Sequence, residues 1–273
     1  MANAYIETSS INQALVDTVS GKDISKSLQD LGYRPVVGIH TIYELARTFL
    51  NPGQHQTGSD LFKILQGIDG TIVPMTGMII DQEIVKLRTG AEVLPFLDHA
   101  NLASTRYEIE KLSRGIFDAT AERFVATRET ARRINERIES NKYLNQILEM
   151  NRTEPGRFGG IHVFGDALDY FKDAVPSIIQ AGVRRDVSSF EAKELSLRLA
   201  SFPCIHSLVR ANIYLCFIVI RNLTSPAYDR VDDFRQVIDA SYCDAFVTND
   251  GQLARTGNHV NIDLCMMRWT DIF

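Results

Sequence analysis

The stretch DASYCDAFVTND, residues Asp239 to Asp250, decides how this chain is read. A polar, helix-like segment gives way to the short apolar run AFV, which stops on Thr248, and an acid follows two residues later. Asp and Asn are turn formers, so Asp250 with Gly251 has a structural explanation. It also has a chemical one. In an open parallel sheet ligands gather beyond the carboxyl ends of the strands, and a carboxylate placed there can hold a cation.

Working outward, other apolar runs take the same form. Ala4-Tyr5-Ile6 ends in Glu7-Thr8-Ser9, and Pro35-Val36-Val37-Gly38-Ile39 leads into a helix carrying Ile42, Leu45, Phe49 and Leu50. TIVPM (71–75) gives a third strand, and His259 to Leu264 alternates as a final one. Helical spacing separates them: Ile11, Leu15 and Val19 before Gly21, a second helix near 23–31, one capped by Ser59, another near 79–88, and one over about 231–243. Strands separated by helices imply parallel pairing and a layered, Rossmann-like α/β sheet. From about 91 to 221 the pattern is mostly helical, broken at Pro95, PGRFGG (155–160), Pro176 and Pro203. We read one domain over 1–273, with its core from about 1–90 and 222–273 and a helical insertion at 91–221.

Composition narrows the possibilities. The 273 residues are 45% hydrophobic with a formal net charge of −5, which argues against a general nucleic-acid coat. IYLCFIVI (213–220) is too short for a membrane span and reads as a core helix. MANAYIETSSIN lacks the basic start and apolar core of a signal peptide. Cys204, Cys216, Cys243 and Cys265 have no C-x-x-C spacing and sit among apolar residues. These features are those of a cytoplasmic protein with reduced thiols and no zinc site. The densest basic stretch is ATRETARRINER (126–137), where arginines alternate with glutamates. It serves either as a solvated helix face or as a phosphate-binding patch.

Four acids fall near one rim of such a sheet. Glu7 follows the first strand, Glu44 lies one turn into the helix after the second, and Asp250 follows AFV. Asp233 lies near the start of the helix that runs back to AFV, beside its apolar stripe of Phe234, Val237, Ile238 and Tyr242. Clustered carboxylates raise one another's pKa and become tolerable around a cation. Oxygen ligands without His or Cys select Mg²⁺ or Mn²⁺, ions that serve phosphate chemistry. Each acid has a structural alternative: Thr41 to Glu44 spells a capping box, Asp232 and Asp233 suit a helix start, and Asp250 suits a turn.

The motifs YIETSSIN, IYELART, DDFRQVIDASYCD and FVTND, in this order, resemble those of the PIN-domain nucleases, over about 1–50 and 228–265. The resemblance implies a metal-dependent endoribonuclease on a Rossmann-like sheet, possible toxin or defence activity, and RNA as substrate. It implies Mg²⁺ or Mn²⁺ bound by Glu7, Glu44, Asp233 (Asp232 being the neighbouring alternative) and Asp250. Ser9 and Thr248 support the site through their hydroxyls, and an antitoxin or a second copy is the implied partner. The first acid is Glu where the family has Asp, and the extra methylene moves its carboxylate by about 1.5 Å. The long helical middle is a second departure. As an RNA-binding arm it offers Arg128, Arg132, Arg133 and Arg137 to phosphates, with Tyr107, Phe124 and Tyr143 either stacking on bases or filling core. The competing readings are a catalytically weak or inactive PIN-like binding or scaffold protein, and a nuclease directed at DNA.

Overall fold

The structure, a computed structural model, describes residues 1–138, 140–154, 156–183, 187–223 and 228–273, and the side chains of 133–138, 140–143 and 228–232 lie outside that description. Five strands form one sheet: β1 (Ala2–Ile6), β2 (Tyr33–Gly38), β3 (Thr71–Val73), β4 (Ala245–Thr248) and β5 (Cys265–Arg268). Their order is β3-β2-β1-β4-β5, and every pairing is parallel. β1 is therefore central, and the strand order reverses beside it, between β2 and β4.

Alternation along the strands divides the core in two. Tyr5, Val36, Val73 and Phe246 point to one face, where the Tyr5 and Phe246 rings stack with centroids 5.4 Å apart. Ala4, Ile6, Val37, Ile72, Ala245 and Val247 point to the other. Strands covered on both faces read as continuous apolar runs, which is why AYI, PVV and AFV stood out.

The second face is covered by α1 (Thr8–Val16), α2 (Gly21–Asp30), α3 (Ile39–Ala46) and α4 (His55–Gly67). The first is covered by α5 (Thr76–Thr89). The middle of the chain then supplies both sides. α6 (His99–Ser113) and α7 (Ala119–Ile138) place Ile109, Leu112, Ala121 and Val125 in the α1–α4 core. α8 (Ser140–Thr153), α9 (Phe164–Phe171), α10 (Val175–Gly182), α11 (Ser189–Leu197) and α12 (Pro203–Asn222) join the core behind Tyr5. α13 (Tyr228–Asp239) and α14 (Gly251–Val260) complete that layer. The helical middle thus shares the sheet's two cores.

α12 is long and apolar enough to cross a membrane by length and composition, yet 61% of its apolar window is buried inside the fold. Cys204, Ile205, Val209, Ile213, Cys216 and Val219 lie in the core, as expected for a core helix. Its start is held by the fully buried Glu83 of α5, which accepts hydrogen bonds from the amides of Cys204 (2.9 Å) and Ile205 (2.8 Å) and from the Tyr242 hydroxyl (2.7 Å). Those amides have no intrahelical partner, so an acid on a neighbouring helix satisfies them.

Several local expectations are corrected. Residues 259–264 are not a strand. Asp250 caps α14 by accepting from the amides of Gln252 and Leu253, the helix continues to Val260, and the edge strand is β5. Ser59 does not cap a helix. α4 starts at His55, and Ser59 is buried and donates to the Ser113 carbonyl at 2.7 Å. Gly21 opens α2 behind a Ser20–Asp23 capping box instead of closing α1. The third strand stops at Val73, before Pro74.

Candidate functional site

Parallel crossovers bring one helix start after another to the carboxyl end of the sheet. α1 follows β1, α3 follows β2, α5 follows β3 and α14 follows β4. Each start presents unpaired amides and the positive end of a helix dipole, so acids are favoured here.

Glu7 is the residue between β1 and α1. It stands at the N-cap position but does not cap the helix with its side chain. Its carboxylate turns across the end of β4, where Oε2 accepts from the Ser9 hydroxyl and from Thr248 Oγ1 at 3.0 Å. The residue is 4% exposed. Burial is the main reason its carboxyl is pushed from 4.5 up to about 7. The Ser9 and Thr248 donors offset part of that rise, and the Glu44 charge adds to it.

Glu44 lies in α3, which begins at Ile39 behind Gly38. Thr41 is therefore not an N-cap and the expected Thr41–Glu44 capping box is absent. Glu44 Oε2 accepts from the Thr8 hydroxyl, and Oε1 lies 3.2 Å from His40 Nε2. Burial acts to raise this carboxyl too. The hydrogen bond and charge of His40, the Thr8 hydroxyl and the Arg47 charge outweigh it, and the group titrates below the usual range.

The two carboxylates are joined by a residue that sequence reasoning passed over. Gln236 of α13 is 1% exposed. Its Nε2 donates to Glu44 Oε2 at 2.9 Å and to Glu7 Oε1 at 3.4 Å. Its Oε1 accepts from the Thr8 amide (3.3 Å) and the Thr41 hydroxyl (3.1 Å), the Thr8 hydroxyl that donates to Glu44 lies 3.3 Å from it, and Thr41 in turn meets the Tyr5 hydroxyl at 3.1 Å. Deeper in the same region Asp239 accepts from the Thr76 hydroxyl, and burial raises its carboxyl to about 6.

Of the four expected acids, then, the structure joins Glu7 and Glu44. Asp250 stands on the same rim, its amide donating to Thr248 Oγ1 at 3.0 Å, but its Oδ1 is committed to the α14 amides. Asp233 lies one turn before Gln236 on α13 and is partly buried. The Asp232 side chain lies outside the described residues. Among the described residues no group of three or more His, Cys, Asp or Glu side chains could hold a metal ion. The expected four-acid pocket is here a two-carboxylate pair. Ser9 and Thr248 do support it, Ser9 Oγ also accepting from the Asn249 amide at 3.0 Å.

Of the four arginines of the helical arm, Arg128 and Arg132 are described, and both make contacts within the fold. Arg132 Nη1 lies 3.3 Å from Glu129 Oε1, and Glu129 also receives the Tyr43 hydroxyl (2.7 Å) and Arg47 (3.0 Å), so this charge group latches α7 to α3. Arg128 is partly buried between Met75 and the Phe124 ring, 4.7 Å from the ring centroid. Phe124 in turn meets the Tyr43 ring edge-on, whereas Tyr107 is 61% exposed. The side chains of Arg133, Arg137 and Tyr143 lie outside the described residues. No family model, curated protein or solved structure matches this chain.

Proposed function

We propose that this chain is a nuclease that hydrolyses phosphodiester bonds of RNA at the rim around Glu7 and Glu44, on a PIN-type variant of the Rossmann-like sheet. The observation that carries the reading is one buried amide group donating to both carboxylates at once. Two acids from separate segments are held close enough to share a single positive centre, at the end of a parallel sheet where ligands bind. Oxygen donors dominate the surroundings, which suits Mg²⁺ or Mn²⁺. Glu7 and Glu44 would hold the ion, with Asp233 and Asp250 as the further acids that the resemblance implies. Such an ion supplies charge neutralisation at a reacting phosphate and a more acidic bound water. The chain's own residues do the rest: Ser9 and Thr248 orient Glu7, while Thr8 and His40 orient Glu44.

The test is cleavage of end-labelled single-stranded RNA and DNA in Mn²⁺, Mg²⁺ or EDTA. RNA cleavage that needs the cation and is lost in Glu7→Gln and Glu44→Gln supports the reading, and cleavage that survives both substitutions refutes it. Faster cleavage of DNA shifts the substrate class. One observation favours a second reading, a PIN-like nucleic-acid-binding or scaffold protein without turnover. The two carboxylates are already satisfied by protein donors, and no third acid joins them among the described residues. RNA binding in EDTA with no cleavage in Mn²⁺ would select it.

A further inference from the structure

We infer that Arg128 holds the RNA backbone at the rim, its guanidinium binding a phosphate of the strand beside the carboxyl end of β3. This rests on the reading above for its substrate and needs no cation.

The fold carries the side chain there. Arg128 lies on α7, one turn after Phe124, whose ring meets Tyr43 of α3 edge-on. The guanidinium crosses the Phe124 ring, 4.7 Å from its centroid, and Nη1 reaches the sulfur of Met75. Met75 stands two residues beyond β3, at the N-cap position of α5, and gives that helix no side-chain cap. Arg128 therefore arrives at the end of the sheet where ligands bind, beside the helix that carries Glu44.

What sets it apart is the lack of a counter-ion. The neighbouring arginines, Arg47 and Arg132, lie 3.0 and 3.3 Å from Glu129. Arg128 makes no ion pair among the described residues. Its Nε is buried with no hydrogen-bond partner, and a thioether is a weak acceptor. Asp239 acts on it through its field alone, the Asp239 carboxyl being engaged by the Thr76 hydroxyl. A guanidinium stays charged at any ordinary pH, so one that has lost water and gained no acid opposes folding. The side chain is nonetheless partly exposed, which leaves it open to an anion from solvent. A phosphodiester supplies the missing charge with oxygens that match a guanidinium fork, and the amides at the start of α5 favour the same charge. Such a contact gives a strand one attractive point on a rim that also carries Glu7, Glu44 and Asp250.

The experiment compares wild type, Arg128→Met, Arg128→Gln and Arg132→Met. Binding of a fluorescein-labelled single-stranded RNA is followed by fluorescence anisotropy in EDTA over a series of salt concentrations, and each melting temperature is recorded. A charge-assisted phosphate contact predicts that either Arg128 variant binds about tenfold or more weakly at low salt. The slope of log affinity against log salt should fall by about 0.7, the share of one phosphate on a single strand. Neither Arg128 variant should melt below wild type, whereas Arg132→Met should melt lower and keep the wild-type slope. If one Arg128 variant does not fold, the other decides, and loss of the fold in both overturns the inference by making the arginine structural. Equal affinity and slope in wild type and the Arg128 variants, including no binding by any of them, also overturns it. Inorganic phosphate binding as tightly as the RNA assigns Arg128 to a free anion and overturns the backbone contact. Arg128-dependent RNA binding without cleavage in Mn²⁺ keeps the inference and removes the nuclease reading, whereas cleavage with an unchanged KM in the Arg128 variants does the reverse.

Discussion

Glu7 makes the protein's stability depend on pH in a direction opposite to that of an ordinary surface acid. Its carboxyl titrates at about 7 in the folded chain against 4.5 when free, so the folded state binds this proton more tightly. The contribution is fully present below pH 4.5 and is lost as pH rises through 7, because over that window the folded state carries a proton that the unfolded state has released. The interval spans roughly 2.5 pH units, and at about 1.36 kcal/mol per unit the loss is about 3 kcal/mol. Glu44 titrates below its usual range, so its own window lies at lower pH and does not overlap. Asp239, raised to about 6, adds a loss of the same sign, so wild type alone cannot isolate Glu7. The informative quantity is the difference from Glu7→Gln, which keeps an acceptor for Gln236 and cannot titrate. Urea denaturation in EDTA at pH 5, 6, 7 and 8 should show wild type losing about 2.5 kcal/mol more than the variant across the series, because part of the loss is already taken by pH 5. Mn²⁺ should abolish much of that difference by favouring the ionised carboxylate. Parallel stability curves for the two proteins would refute a buried, protonated Glu7.

Two further outcomes separate structural from chemical roles. Asn caps helices about as well as Asp, so Asp250→Asn should leave the melting temperature within about 1 °C, whereas Asp250→Ala should cost about 1 kcal/mol in urea denaturation. Loss of RNA cleavage in Asp250→Asn at unchanged stability would then give the carboxylate a role beyond capping. Glu83→Ala strands two amides at the start of α12 and the Tyr242 hydroxyl. At about 1–3 kcal/mol per unsatisfied group it should cost at least about 3 kcal/mol by urea denaturation, independent of Mn²⁺.

How much of this was legible in the sequence depended on burial. β1, β2 and β4 lie inside the sheet with helices on both faces, so their buried runs AYI, PVV and AFV are apolar and the parallel architecture could be read from them. β5 is an edge strand with Cys265 and Arg268 exposed, and CMMR carries no pattern to mark it. The alternation in HVNIDL instead straddles the end of α14 and a turn. Glu7 and Glu44 were legible because a strand end and a position one turn into the next helix fix where a side chain must be. Gln236 was not. Residues Phe234 and Gln236 to Ala240 of α13 and the turn after it are buried almost all round, so there is no polar face to contrast with an apolar one. A buried amide in such a helix looks in sequence like any solvated glutamine. The same holds for Asp239 and Glu83, whose burial comes from partners 163 and 121 residues away. For the arginines of α7, composition gave the charge but not its use. Glu129 takes Arg47 and Arg132, so the alternation of signs that looked like a solvated face is in part the attachment of that helix to α3.

The rim itself sets a physical condition on any phosphate that approaches it. Four helix starts converge there, and their dipoles favour negative charge, but the chain has already placed Glu7, Glu44 and Asp250 in that field. An incoming phosphodiester would therefore feel those carboxylates as well as the amides, and at short range like charges outweigh half-charges on helix ends. Two events lower this barrier. A proton on Glu7, available near neutral pH because burial raises its carboxyl, removes one negative charge, and a divalent ion between Glu7 and Glu44 offsets two. Gln236 does neither, since an amide satisfies the hydrogen bonds of the carboxylates without cancelling their charge. A rim with neither event is thus stable as a fold yet opposes the phosphodiester that the proposed function requires.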